Sequence, residues 1–260
     1  MKKRWLLFIL CGCLWMLSAC AAKMPSDSPS GNLEPGSSES GSSPESAVSN
    51  EAAARLVAVT DDGELLLAFM DGKVSRFSPE DAAVSLDGGD ASAGEVFWKP
   101  GMMLEISSDE NAVNIQTGAF DDRCAMYLQV LEDLWKIDPA LNEDIRYIGF
   151  DLSQTSLTEG EQAAVAQWFS ELHQAEPLQG TFEELTKQGY IDGKELYWRD
   201  GCLFTITEKE MKGQYSLTPV MFDAQKWRSG LGAYFFMDCT SVQSANGEWG
   251  GYQVGSEAIS

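Results

Sequence analysis

The sequence predicts an α+β protein, and three features of the 260-residue chain support this prediction. Short apolar runs separated by Asp-Gly turns occupy the first part of the foldable region, residues 53–119. Two helix-capping boxes and stretches of helical periodicity follow in residues 120–260, and short apolar runs then return. Because most of the predicted strands come before or after the helical stretches, an α+β fold is favoured over a regular α/β fold.

The first 19 residues predict a removable export signal. Three basic residues precede Trp5–Leu17, an uncharged apolar run of 13 residues, which is the length of a signal-peptide core and too short to span a bilayer comfortably. The run ends in Leu17-Ser18-Ala19-Cys20, which resembles the lipobox of bacterial lipoproteins. The resemblance implies cleavage before Cys20, a diacylglycerol on its thiol, and a location on the outer face of the cytoplasmic membrane. The alternative is an ordinary signal peptide cleaved after Ala19.

Residues 20–52 predict a disordered tether behind the lipidated cysteine. From Pro25 to Ser49, 17 of 25 residues are Ser, Pro or Gly, and none is aromatic. Such a segment buries too little apolar area to offset the conformational entropy lost on folding. Behind a lipid anchor it would hold a folded body away from the membrane, as Ser-rich tethers do in lipoproteins of Gram-positive bacteria.

The charge of the chain restricts its partners. It carries 18 Lys and Arg against 40 Asp and Glu, which gives a formal net charge of −22. Nucleic-acid binding needs clustered cations on the protein surface, so we expect no nucleic-acid partner. Anionic lipid would also repel the chain, and we therefore expect membrane attachment only through the diacylglycerol on Cys20.

Residues 53–119 predict a small all-β domain. Asp-Gly pairs between short apolar runs are a strong hairpin signal, because a type I′ turn needs positive φ at both central residues. The Pro-Gly turn followed by MMLEIS resembles the OB-like barrels of Firmicute lipoproteins, which implies an OB-like unit here. The predicted strands are Arg55–Thr60, Leu65–Met70, Lys73–Phe77 and Met102–Ser107.

Residues 120–260 predict helices followed by an antiparallel sheet. Apolar residues recur at helical spacing after Asp121, and capping boxes at Thr158 and Thr181 each place a Glu three residues later, which predicts two further helix starts. Ile145–Leu152 is predicted to be a strand before the first box. The strands of the predicted meander are Leu196–Arg199, Cys202–Thr207, Leu217–Phe222, Ala233–Val242 and Trp249–Val254.

Residues 121–260 are similar to lipoproteins of Clostridia-type gut bacteria. The segments that carry the similarity include MYLQVLEDLW, LYWRDGCLFTIT and KWRSGLGAYFFMDC. The resemblance implies an extracytoplasmic location, but it implies no activity, substrate or catalytic residue.

The residues themselves indicate no catalytic or metal centre. His173 is the one histidine, and we interpret it as a residue at the edge of a helix's apolar stripe with a single hydrogen bond. No Cys or His pair has the spacing of zinc ligands, and we expect no cofactor. We therefore predict a non-catalytic module that binds a cell-wall component, a small solute or a protein. The alternative is an extracytoplasmic hydrolase that uses carboxylates, because Asp and Glu are abundant.

Two Trp-Arg pairs are the candidate binding residues. Trp198-Arg199 and Trp227-Arg228 each join an aromatic ring to a cation near a predicted strand end, where loops expose side chains. In an acidic protein, anions are attracted only where cations gather. The alternative is that both tryptophans pack inward and the arginines form surface ion pairs.

Three cysteines follow Cys20. Cys202 and Cys239 lie on predicted strands of the meander, and a cross-strand disulfide between them is one interpretation. Free buried thiols are the other, and Cys124 is interpreted as a small core residue of a helix.

Overall fold

The computed structural model describes residues 51–80, 82–92, 94, 96–107, 111–211 and 218–260. The predicted signal segment and residues 20–50 of the predicted tether lie outside this range. Two mixed β-sheets and three α-helices form the described fold, so the α+β prediction is confirmed. The first strand begins at Glu51, two residues before the predicted start of the β domain.

The first sheet has seven strands in the spatial order β3-β2-β1-β6-β7-β4-β5. Only β4 and β7 are parallel neighbours, and every other pair is antiparallel. This order differs from the five-stranded Greek-key barrel of an OB-fold, so the OB-like interpretation is wrong. The strands are β1 Glu51–Val59, β2 Leu65–Phe69, β3 Val74–Phe77, β4 Ala83–Leu86, β5 Gly89–Ala91, β6 Met103–Ser107 and β7 Ala112–Gln116.

The second sheet has six strands in the order β13-β12-β11-β10-β8-β9. It is not purely antiparallel as predicted, because β8 pairs in parallel with both β9 and β10. A helix crosses between β8 and β9, and such a crossover returns the chain in the same direction. The strands are β8 Tyr147–Gln154, β9 Glu176–Gln179, β10 Gly201–Lys209, β11 Thr218–Ser229, β12 Gly232–Gln243 and β13 Ser256–Ile259.

The three helices are α1 Arg123–Lys136, α2 Glu159–Leu172 and α3 Phe182–Lys187. Both predicted capping boxes are present, since the hydroxyl of Thr158 and that of Thr181 each accept the backbone N–H of the Glu three residues later. That Glu accepts the N–H of the Thr in return, so each box satisfies two backbone donors at a helix start. No helix in the described part of the chain combines the length and apolarity needed to cross a bilayer.

The helices α1 and α2 lie between the two sheets and give them a shared core. Strand β2 is buried on both faces: Leu65 and Leu67 belong to the core of the first sheet, whereas Leu66 belongs to the larger core that includes Tyr127 of α1 and Phe169 of α2. The expected boundary near residue 119 coincides with the end of the first sheet, yet the described residues form one compact unit.

The segment before β10 is not the predicted hairpin strand. Leu196–Arg199 makes only isolated bridges, through Tyr197, to Asp192 and Ser229. Its Trp198 ring lies flat against two strands because Gly149 and Gly201 present no side chain there: a Cβ added at these glycines would lie 2.8 and 2.2 Å from the ring. Residues 249–254, also predicted as a strand, contribute only bridges at Trp249 and Gln253.

Candidate functional site

The structure gives the residues of the two predicted Trp-Arg pairs different roles, and both tryptophans pack in or against the core. Trp198 is fully buried in a small core with Leu185, Ile191 and Leu203, so its ring cannot stack on a ligand. Trp227 packs against the same core, with its ring centroid 5.0 Å from that of Phe182 in an edge-to-face arrangement. Both tryptophans therefore hold α3 and its following loop onto the outer face of the second sheet.

Arg228 stabilises the fold, because backbone carbonyl oxygens hold its guanidinium in place. Its guanidinium donates to five backbone carbonyl oxygens, and among the described residues it has no ion pair with a carboxylate. These bonds join β11 to the loop after α1 and to the segment before β10. A planar fork of five N–H donors suits such a task. The acceptors are the carbonyls of Ala140, Leu141, Glu143, Trp198 and Arg199.

Lys226 caps the C terminus of α1. Its side chain is fully buried, and Nζ donates to the backbone oxygens of Trp135, Ile137 and Asp138 and to Oδ1 of Asn142. The last carbonyls of a helix lack intrahelical partners and carry a partial negative charge. Burial lowers the pKa of Lys226 to about 8. The basic segment around Trp227 thus holds the loop after α1 in place.

Arg199 is the one member of the predicted set that remains available. It is exposed, and within the described ranges its side chain has no ion pair or hydrogen bond. It lines a groove of about 1060 Å³, which we call the tyrosine groove. The groove is lined by Tyr147, Thr186, Gly189, Tyr190, Ile191, Asp192, Gly193, Lys194, Tyr197, Arg199 and Asp200.

Three tyrosine rings of the groove are positioned by different elements. Tyr147 begins β8, and Tyr190 follows α3, with ring centroids 5.2 Å apart at an interplanar angle of 67°. The guanidinium of Arg146 lies 4.9 Å above the Tyr147 ring. Tyr197 is 42% exposed, and its backbone N–H and C=O pair with those of Asp192. The hydrogen-bonded loop 192–197 therefore holds Tyr197 in the groove that Arg199 also lines.

Asp192 and Asp200 also line the groove. Oδ1 of Asp192 accepts the backbone N–H groups of Lys194 and Glu195, at 2.9 and 3.1 Å. The Glu195 bond, followed by the Lys194 bond, lowers the pKa of Asp192. An ionised carboxylate of this kind organises a turn and is unsuited to donate a proton as a general acid.

The fold excludes the predicted disulfide between Cys202 and Cys239. Strand β11 lies between their strands, β10 and β12, so they are two strand spacings apart, roughly 10 Å. Leu203, next to Cys202, faces Trp227, whereas Cys239 faces Phe222, five residues away along β11. A disulfide needs Cα atoms within about 7 Å. Both thiols are free and buried, as is that of Cys124, and burial raises the pKa of Cys202 and Cys239 to about 12.

His173 lies at the edge of the hydrophobic core. Its Nε2 lies 2.7 Å from Oε1 of Glu132, and its ring stacks on Trp135 at a centroid distance of 3.9 Å. The ring thus packs at the edge of the helical stripe, as interpreted from the sequence. No group of three potential metal-ligating side chains occurs within the described ranges.

Sequence reasoning missed the tyrosines of the groove. The prediction selected tryptophans that are next to arginines in the sequence. A tryptophan ring has the largest apolar area to bury, and for this reason both rings pack in or against the core. The available signal was the polar segment between Tyr190 and Tyr197, in which the turn pair Asp192-Gly193 predicts an exposed loop.

Comparison of the chain with protein-family models, with curated proteins and with solved structures found no match.

Proposed function

We propose that the protein is a non-catalytic surface lipoprotein whose tyrosine groove binds a carboxylate-bearing sugar of the cell wall. The observation that carries the proposal is the unpaired guanidinium of Arg199 in a groove that the exposed Tyr197 also lines. An aromatic ring offers an apolar face to a sugar ring, and a guanidinium forms paired hydrogen bonds with a carboxylate.

The charge of the protein strengthens this choice of ligand. With a net charge of −22, the surface as a whole repels anions. An anionic sugar would therefore be held where a cation lacks an internal partner, as Arg199 does. The neighbouring Asp200 and Lys194 supply further acceptors and donors for hydroxyl and amide groups of a glycan.

Binding is favoured over the alternative, an extracytoplasmic hydrolase that uses carboxylates. Glycoside hydrolysis of the usual kind needs one carboxyl group with a raised pKa as the acid. The backbone bonds to Asp192 lower the pKa of that group.

The proposed location depends on Cys20. A diacylglycerol on this residue would supply two acyl chains, which is what stable anchoring takes. The Ser-rich segment up to residue 52 would then allow the groove to reach the wall from the outer face of the membrane.

The experiment is isothermal titration calorimetry on the protein without residues 1–20. The probes are the wall disaccharide that carries the lactyl carboxylate and the neutral disaccharide of N-acetylglucosamine. We expect the acidic probe to bind about tenfold more tightly, since a hydrogen-bonded charge contributes about 1.5 kcal/mol or more. Arg199→Gln should remove this preference, whereas Tyr197→Ala should weaken the binding of both probes.

The matched control is Arg76→Gln, which removes an arginine of β3 that pairs with Glu64 and Glu171 and does not line the groove. It should change neither affinity. If wild type binds neither probe, or if Arg199→Gln retains the preference, the proposal is wrong. Release of monosaccharide from the acidic probe would favour the hydrolase.

A further inference from the structure

A second cavity, of about 500 Å³, lies at the end of the first sheet and is independent of the tyrosine groove. Small-molecule sites in proteins commonly measure about 300–1,000 Å³ and are lined mainly by apolar side chains. Most of the lining here is apolar, and it comes from the first sheet and its connections. The apolar lining residues include Leu86, Ala91, Val96, Met102, Ile115 and Phe120.

The cavity continues the core of the first sheet outward. Ile115 belongs to that core, and Val96 and Met102 pack against it. Leu86, at the end of β4, is 47% exposed, and Phe97 at the rim is 83% exposed. Apolar side chains are thus left in contact with solvent around an opening that leads to the core, and an apolar molecule would cover them.

The wall opposite the sheet is a turn of residues 244–248. The following residue, Trp249, holds it in place, because its backbone N–H donates to Asp122 and its indole N–H donates to Asp121, at 2.7 and 2.8 Å. Glu248 therefore has a defined position at the rim.

One ion pair lies at the rim of the cavity. Nζ of Lys99 is 2.6 Å from Oε1 of Glu248 and 4.8 Å from the centroid of the Phe120 ring. Both charged side chains are about half exposed, so the pair contributes little free energy and a competing carboxylate can replace Glu248.

We propose that this cavity binds a monocarboxylate with an apolar body, such as a medium-chain fatty acid. The chain occupies the apolar interior, and the carboxylate takes the place of Glu248 on the ammonium of Lys99. An uncharged molecule of the same shape gains the apolar contacts but not the ionic one.

Titration calorimetry of the protein without residues 1–20 tests this, with decanoate and decanol as probes below their aggregation limits. Two substitutions at the rim have opposite expected effects. Lys99→Gln should weaken decanoate binding about threefold to fivefold, and Glu248→Gln should strengthen it by a similar factor, since an exposed ion pair is worth up to about 1 kcal/mol. Neither should change decanol binding.

Ala91→Phe, which fills the interior, should reduce the binding of both probes. Lys136→Gln, on the exposed face of α1 outside the cavity, is the matched control and should change neither affinity. The proposal is overturned if wild type does not bind decanoate, if the two rim substitutions change its affinity in the same direction, or if Ala91→Phe, shown to be folded by circular dichroism, binds both probes normally.

Discussion

The buried ammonium of Lys226 supports a specific prediction about stability. Replacement by Met keeps the apolar stem of the side chain but removes the ammonium and the hydrogen bonds that it donates at the end of α1. The oxygens of Trp135 and Asp138 keep other donors, from Asn142 Nδ2 and from the backbone N–H of Leu141. The carbonyl oxygen of Ile137 loses the donor that it has in Lys226.

The expected cost of Lys226→Met is about 2–3 kcal/mol. A buried acceptor left without a donor costs about 1–3 kcal/mol, and weakened bonds at the other oxygens add to this. The recovered desolvation energy of the ammonium partly offsets the loss, because a buried charge is itself costly.

Urea unfolding at pH 7, followed by tryptophan fluorescence and by circular dichroism, measures this cost. With a slope of about 2 kcal/mol per M, the midpoint should fall by about 1 M urea. The exposed Lys187→Met is the control and should stay within about 0.5 kcal/mol of wild type. A Lys226→Met protein as stable as wild type would refute the capping role.

The same variant tests the pH dependence. The pKa of Lys226 is about 8 in the folded chain against an ordinary value of 10.5. Between these values the unfolded chain holds a proton that the folded chain has released, so stability rises with pH. From pH 8 to 9.5, wild type should therefore gain about 1–2 kcal/mol relative to Lys226→Met. A constant difference would show that burial does not lower this pKa.

Three further predictions concern thiols, packing and the anchor. The three cysteine thiols of the described fold should resist a thiol reagent at pH 8 and react after denaturation, because they are buried; rapid labelling of the native protein would contradict this. Gly201→Ala should destabilise the fold far more than Gly118→Ala, since its Cβ would overlap the Trp198 ring whereas nothing lies near Gly118; equal urea midpoints would contradict this. Cys20→Ser should move the protein from the membrane fraction to the medium or leave it unprocessed, and unchanged partitioning and size would exclude the lipid anchor.

Elements defined by local interactions were predictable from the sequence. The capping boxes at Thr158 and Thr181 involve groups three residues apart, so the pattern of residue types specifies the contact. The first helix, after Asp121, follows from a period that a single segment displays. The pairing of strands was harder to predict from the sequence. Strands β8 and β10 pair in parallel although their residues are more than fifty positions apart, and no pattern within either strand indicates this pairing.

The fold class, the helix starts and most strands could be predicted from the amino-acid sequence, because they depend on periodicity and on contacts within a few residues. The roles of the candidate binding residues, in contrast, depend on contacts that form when the chain folds. Trp198 and Arg199 are neighbours, and the surrounding sequence does not distinguish which of them is buried. Gly149 and Gly201 leave space for the Trp198 ring in the core, whereas Arg199 lines the groove. Arg228 likewise donates hydrogen bonds to five backbone carbonyl oxygens of segments that are distant in the sequence. A side chain becomes a core residue, a cap or a ligand contact through partners remote in sequence, and folding alone brings those partners together.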